Sequence, residues 1–209
     1  MSNIVIFGGS FDPIHNGHIM IANYCLSCYE LDKILFVIAA HNPFKDFNSI
    51  SDFNTRVEMT KLAIQDYPFF EVESIEEKLS EPYYTVQTVA ALKEKYPEDT
   101  FSIIMGIDNW VDLDKWFNYQ ELFKNQIIVV PRGRPEDITF FIRKKNEYQE
   151  RNYEIRIDIF NRAKFATRSV TCNLSSTLIR EYILKNWPII GFTPQVVIDY
   201  IIKNNLYKK

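Results

Sequence analysis

Two histidines near the start of the chain are the first candidates for chemistry. His15 and His18 flank Gly17, and the chain contains only three histidines in all. Imidazoles three positions apart can lie on one side of the first turn of a helix. There they can donate hydrogen bonds to phosphate oxygens and stabilise negative charge that grows during a reaction.

The residues before these histidines predict a phosphate-binding turn. The apolar run from Ile4 to Phe7 ends at Gly8 and Gly9, and an apolar-rich segment without glycine or proline begins at Ile19. This order indicates a strand, a glycine turn and a helix, and the first N–H groups of a helix can bind an anion. Neither G-x-G-x-x-G nor G-x-x-x-x-G-K-[ST] occurs, so a nucleotide here would use a different loop. The alternative is an ordinary turn with a capping histidine.

Strands and helices alternate along the chain. Continuous apolar runs predict further buried strands at residues 33–40, 101–105 and 126–130, and residues 153–160 and 169–171 are additional candidates. Helices are predicted over 19–30, from the cap Ser51-Asp52 to Asp66, from the cap Thr85 to Tyr96, from Leu174 onward, and from the cap Thr193-Pro194 to Asn204. The alternation predicts an α/β fold, Rossmann-like with a mostly parallel sheet flanked by helices, in one domain over residues 1–209.

Composition excludes several classes of protein. The 209 residues carry a net charge of −3, so no overall basic field attracts nucleic acid. No signal peptide and no apolar run long enough to span a membrane is visible, and the expected location is cytoplasmic. The three cysteines include Cys25-x-x-Cys28 without a second pair, which predicts reduced core thiols rather than a zinc site.

Further polar residues follow the other predicted strands. Lys45, Asp108 and Arg132 come shortly after successive strands, and Ser175–Arg180 opens a late helix with hydroxyl groups. Asp108 suits a ribose hydroxyl pair and suits a helix cap equally well. No Ser/His/Asp nucleophile pattern and no carboxylate cluster for two metals is present. The set therefore favours binding a polyphosphate and in-line attack on it, without a covalent enzyme intermediate.

The stretch G-G-S-F-D-P-I-H-N-G-H resembles the signature of the HxGH nucleotidyltransferase superfamily. Other segments resemble one family within it, the bacterial nicotinate-nucleotide adenylyltransferases. The matching segments are Tyr83-Tyr84-Thr85, Gly106-Ile107-Asp108, Trp116-Phe117 and Leu174 to Arg180. Where that family usually reads P-P-H-[KR], this chain reads Asn42-Pro43-Phe44-Lys45.

The resemblance implies a reaction and its substrates. ATP and nicotinate mononucleotide would give nicotinate adenine dinucleotide and pyrophosphate, with Mg²⁺ on the ATP phosphates and no metal site of protein residues. Catalysis would fall to His15, His18, Lys45 and Arg180. ATP would be bound by Gly8, Gly9, Ser10, Phe11, His15, His18, Asp108, Arg132, Ser175, Ser176, Thr177 and Arg180. The mononucleotide would be bound by Lys45, Thr85, Val86, Trp116 and Phe117. Trp116 would stack on the pyridine ring, and Asp108 would bind the ribose of the adenosine.

Alternatives remain at the level of the sequence. Nicotinamide mononucleotide differs from the acid only by an amide, and an aromatic ring stacks on either pyridine. A nucleotide-binding sensor without catalysis would show erosion of His15, His18, Lys45 or Arg180, and all four are present. A homodimer is one assembly that the sequence leaves open, while nucleic acid and membrane are not expected partners.

Overall fold

The computed structural model describes residues 1–40, 50–131, 162–166, 169 and 173–208. Six strands lie within these ranges: β1 (Asn3–Gly9), β2 (Lys33–Ile38), β3 (Phe70–Glu73), β4 (Thr100–Gly106), β5 (Gln126–Val130) and β6 (Ala163–Phe165). They form one sheet in the order β3-β2-β1-β4-β5-β6. Every neighbouring pair is parallel. The mostly parallel α/β sheet predicted from the apolar runs is therefore confirmed.

Seven α-helices flank this sheet in the described part of the chain. They are α1 (Asn16–Cys28), α2 (Phe53–Ile64), α3 (Thr85–Lys95), α4 (Ile107–Val111), α5 (Tyr119–Leu122), α6 (Ser176–Leu184) and α7 (Gln195–Lys203). Alternate residues of each strand face opposite sides, because side chains alternate along a strand. Val5 and Phe7 of β1 thus join one core, and Ile4 and Ile6 join the other.

The strand order sets the place of a ligand site. The chain runs outward from β1 through β2 to β3, then returns to the other side of β1 as β4. In such sheets ligands bind beyond the carboxyl ends of the strands, where the order reverses. The reversal here falls between β1 and β4, which pair from Asn3 opposite Thr100 to Phe7 opposite Ile104. The loop that follows β1 carries both histidines.

Several local predictions need correction. Helix α1 begins at Asn16, before Ile19, because His15 serves as its N-cap. The cap of α3 is Tyr84, and Thr85 is the first helical residue. Of the predicted cap pair Thr193-Pro194, Pro194 is the N-cap of α7, whereas the hydroxyl of Thr193 donates to the Ile14 carbonyl at 2.7 Å.

The cysteine prediction holds for only one of the two described thiols. Cys25 is buried, and its burial raises its pKa to about 12, as expected for an inert core thiol. Cys28 is exposed and does not belong to the core. The candidate strand at 153–160 and the residues Val170, Thr171 and Cys172 lie outside the described residues. None of the described helices is long and apolar enough to cross a membrane.

Candidate active site

The two histidines bind each other's backbone at the start of α1. The N–H of His15 donates to Nδ1 of His18 at 3.2 Å, and the N–H of His18 donates to Nδ1 of His15 at 3.3 Å. Their rings stack with centroids 3.6 Å apart and planes inclined by 17°. The spacing predicted one side of a first turn, and the structure places both rings there. The capping interpretation is also correct, since the pair closes the helix end.

This reciprocal arrangement determines which ring nitrogen of each histidine carries a proton and can donate a hydrogen bond. Because each Nδ1 accepts a hydrogen bond, it carries no proton, and the neutral ring is protonated at Nε2. Nε2–H is then the one N–H that each neutral ring can donate. The ring of His18 is further held by edge contacts with Phe11 and Phe7, at centroid distances of 5.0 and 6.0 Å. Its orientation is therefore set before any ligand arrives.

The two glycines after β1 have different surroundings. A Cβ on Gly9 would lie 2.9 Å from the ring of Phe11, so packing alone demands glycine there. A Cβ on Gly8 would meet nothing within 4 Å. Gly8 therefore has open space beside it, and its contact with ATP stays a prediction. Phe11 is buried with φ of 47°, and its predicted contact with ATP would therefore run through the backbone.

Asp12 lies at the centre of the loop and is fully buried. Its Oδ1 accepts a hydrogen bond from the hydroxyl of Tyr207 at 2.6 Å, and its Oδ2 accepts one from the N–H of Ser51 at 3.3 Å. Arg180 donates from Nη1 to the Asp12 carbonyl at 2.6 Å, and the same nitrogen lies 3.8 Å from Oδ2. The loop is thus joined through Asp12 to the segment before α2, to α6 and to Tyr207 near the end of the chain.

Arg56 ties three segments of this edge together from within α2. Its side chain is buried, and Nη1 donates to the carbonyls of Ser10 and Ala39 at 3.1 and 2.7 Å. Its Nε donates to the Ser51 carbonyl at 3.0 Å. Burial lowers the pKa of Arg56, and the charge of Asp12 opposes that shift. The guanidinium therefore holds the turns after β1 and β2 against the start of α2.

Helix α6 brings its amino end to the same loop. Ser175 caps it by accepting the N–H of Leu178 at 3.1 Å. The hydroxyl of Ser176 donates to the Pro13 carbonyl at 2.8 Å. Nη2 of Arg180 donates to the hydroxyl of Thr177 at 3.3 Å. The structure therefore brings Ser175, Ser176, Thr177 and Arg180 beside the histidine loop, as predicted, with both serine hydroxyls used for positioning.

A second group of predicted residues gathers at the start of α3. The rings of Tyr84 and Phe117 stack at a centroid distance of 4.6 Å, and both are exposed. This contact joins the Thr85-Val86 segment to the segment that contains Trp116, which is half-buried against the core. Because Thr85 and Val86 lie in the first turn, their N–H groups have no acceptor within the helix.

Glu76 connects this second group to the strand ends. Its Oε1 accepts from the hydroxyl of Thr88 in α3 at 2.7 Å, and its Oε2 accepts from the N–H of Ala40, just after β2, at 3.0 Å. The carboxylate is buried, and burial raises its pKa. The amino end of α3 is therefore fastened to the end of β2.

The remaining predicted residues have mixed outcomes. Asp108 is exposed on the first turn of α4, next to the β1–β4 reversal. Gly106 occupies the cap position, so the capping alternative for Asp108 is not borne out and the ribose role stays a prediction. Lys45 and Arg132 lie outside the described residues.

Three residues of the site went unrecognised in the sequence. Asp12 lies within the G-G-S-F-D-P-I-H-N-G-H stretch, but neither it nor Arg56 nor Tyr207 was among the candidate site residues. Arg56 did carry a signal, because it shares the buried face of α2 with Met59 and Ala63. A charge on an apolar face must find a partner inside the protein.

Comparisons with known proteins show the family of this chain. Residues 6–182 match the family described as cytidylyltransferase-like. A Flavobacterium psychrophilum protein named "probable nicotinate-nucleotide adenylyltransferase" is 37% identical over 207 residues, which cover 99% of both chains. A Clostridium perfringens protein of the same name is 35% identical over 212 aligned positions, which cover 100% of both chains. The chain belongs to the nicotinate-nucleotide adenylyltransferase family.

Solved structures share the fold. The nicotinic acid mononucleotide adenylyltransferase of Plasmodium falciparum complexed with NaAD aligns with a TM-score of 0.73 at 23% identity. The alignment covers 99% of this chain and 98% of that chain. The same Plasmodium protein complexed with APC aligns with a TM-score of 0.72 at 22% identity. These likenesses concern the fold, which the alignments cover almost from end to end.

Proposed function

We propose that this protein transfers the adenylyl group of ATP to nicotinate mononucleotide, releasing pyrophosphate, as a step of NAD biosynthesis. The observation that carries the proposal is the stacked pair of His15 and His18 in the loop after β1, beside the β1–β4 reversal, where each Nδ1 accepts a backbone N–H. The names of its full-length relatives support the same activity. The proposal places the activity in a single domain over residues 1–209 and in the cytoplasm.

The mechanism follows from the hydrogen-bond donors and cations proposed for this site. An oxygen of the mononucleotide phosphate attacks the α-phosphorus of ATP, and the bond from that phosphorus to the bridging oxygen breaks. His18 donates from Nε2 to the α-phosphate as its charge grows, and His15 holds the neighbouring phosphate. Lys45, Arg180 and the amino end of α6 neutralise the leaving pyrophosphate. Positioning and electrostatics supply the catalysis, as in phosphoryl transfer generally.

Mg²⁺ fits this proposal as a companion of ATP. The described residues contain no group of three His, Cys, Asp or Glu side chains able to hold a metal ion. Mg²⁺ keeps several waters and commonly binds through substrate phosphates rather than a protein cage. Bound with ATP, the ion would withdraw charge from the phosphates. The protein's own task is to hold those phosphates with Nε2–H and guanidinium donors.

The start of α3 supports recognition of an acid rather than an amide. This helix has no acidic residue in its first turn, and Lys93 and Lys95 lie in its last. The amino end of a helix carries partial positive charge and unsatisfied N–H groups. A nicotinate carboxylate would accept from the N–H groups of Thr85 and Val86. An amide brings no charge and would have to turn its oxygen toward them.

Replacing Trp116 by alanine tests the binding of the pyridine ring. We expect Trp116→Ala to raise the KM for the mononucleotide by about tenfold, since stacking on an aromatic ring is worth about 1–3 kcal/mol. The KM for ATP should change less. Steady-state rates with each substrate varied in turn make the comparison. A rise confined to the KM for ATP would mean that Trp116 does not stack on the pyridine.

The activity itself is tested by product analysis. Purified protein with ATP, Mg²⁺ and nicotinate mononucleotide should form pyrophosphate and nicotinate adenine dinucleotide in equal amounts. Omitting the mononucleotide should abolish both products. Pyrophosphate or phosphate release that does not depend on the mononucleotide would oppose the proposal.

A further inference from the structure

The end of the chain is fastened to the histidine loop through side-chain hydrogen bonds. Ser176 donates to the carbonyl of Pro13, and Thr193 donates to the carbonyl of Ile14. The last of these anchors is Tyr207, whose hydroxyl donates to Oδ1 of the buried Asp12 at 2.6 Å. Tyr207 reaches it with a left-handed backbone, at φ of 60°, which a non-glycine residue adopts rarely.

Arg180 forms a long ion pair with the other oxygen of the same carboxylate. Its Nη1 is bound to the Asp12 carbonyl and stands 3.8 Å from Oδ2, beyond hydrogen-bond distance. The tyrosine proton on Oδ1 withdraws charge from the carboxylate. Burial, together with the charge of Asp12, raises the pKa of Tyr207, so its hydroxyl stays protonated as a donor. Without that donor, Asp12 would draw the guanidinium toward Oδ2.

We propose that Tyr207 is a positioning residue, which keeps Arg180 available for the ATP phosphates by occupying Oδ1 of Asp12. The proposal rests on the proposed function, because it assigns Arg180 a phosphate to bind. Tyr207 touches no substrate in this account. Its effect on the reaction passes through Asp12 and Arg180, and it leaves the mononucleotide site at α3 unchanged.

The test is a double-mutant cycle measured on the rate of pyrophosphate release. The four proteins are the wild type, Tyr207→Phe, Arg180→Ala and the double variant. We expect Tyr207→Phe to lower kcat/KM for ATP about tenfold in the wild-type background, as small misplacements of a catalytic group do. It should change that constant less than about twofold once Arg180 is absent, because coupled residues are not additive. The KM for the mononucleotide should not move.

Controls separate positioning from stability. Tyr200→Phe removes another tyrosine hydroxyl of the same C-terminal region and should leave all constants unchanged. Thermal melting of every variant ensures that rates are compared well below the lowest Tm. An equal loss from Tyr207→Phe in both backgrounds, no loss at all, or failure of Tyr207→Phe to fold would overturn the proposal. An inactive wild type would instead contradict the proposed function, so the two failures are distinguishable.

Discussion

Replacing His18 by alanine should lower kcat by roughly 10²–10³-fold, the usual effect of removing one donor to a developing negative charge. The imidazole is held by the N–H of His15 at Nδ1 and by the edge of Phe11, which leaves Nε2–H directed by the protein rather than by the substrate. The KM for ATP should change little, because this donor acts most strongly in the transition state. Pre-steady-state or steady-state pyrophosphate release measures the change.

Two further substitutions of His18 distinguish its role in capping α1 from its role as a donor to the substrate. His18→Asn places an acceptor where Nδ1 stands and no donor where Nε2 stands, so it should preserve the cap and be as slow as alanine. His18→Gln places an amide donor near the Nε2 position and should recover part of the rate. Near-normal turnover in His18→Ala would remove this residue from the mechanism.

Replacing Arg56 by methionine should cost about 3–5 kcal/mol of unfolding free energy, the range found when one partner of a buried charged network is removed. The carbonyls of Ser10, Ala39 and Ser51 would lose their donor, and the buried Asp12 would lose a nearby cation. Small domains have only about 5–15 kcal/mol in total, so the loss would be large. Urea unfolding followed by circular dichroism measures it.

The same helix offers a matched control. Lys61 is exposed on α2 and pairs with Glu58 at 2.8 Å. Surface pairs of this kind contribute about 0–1 kcal/mol, so Lys61→Met should change stability far less. Arg56→Lys keeps the charge but cannot reach three carbonyls with one ammonium. The stability of this variant should therefore lie between that of Arg56→Met and that of Lys61→Met. If Arg56→Met unfolds at the same urea concentration as Lys61→Met, the tie between the three segments contributes no stability.

Local patterns in the sequence predicted the elements of the fold well. The strand at 126–130 has the predicted bounds because a continuous apolar run is buried on both faces of a parallel sheet. The predicted start of α1 was too late, because the spacing of apolar residues does not reveal the polar first turn that His15 caps. At α3 the predicted hydroxyl cap was wrong, since Gln87 satisfies the N–H of Tyr84 through its amide oxygen.

The spacing of residues predicts those contacts of the site that are short in sequence. The His15–His18 pair spans three positions, so the spacing itself indicated that both rings share one turn. The bond from Tyr207 to Asp12 spans 195 positions, and no periodicity joins them. Such contacts arise from the packing of α2 and α7, which brings the end of the chain beneath the loop. The contact between Tyr207 and Asp12 therefore follows from tertiary packing and not from a local sequence pattern.

The most direct test of the central claim compares two acceptors that differ in one group. Pyrophosphate release with ATP and Mg²⁺ is measured for nicotinate mononucleotide and for nicotinamide mononucleotide, each over a range of concentrations. The account predicts a kcat/KM at least about tenfold higher for the acid, because its carboxylate meets the unsatisfied N–H groups and positive end of α3. Comparable values for the two acceptors, or activity with neither, would contradict it.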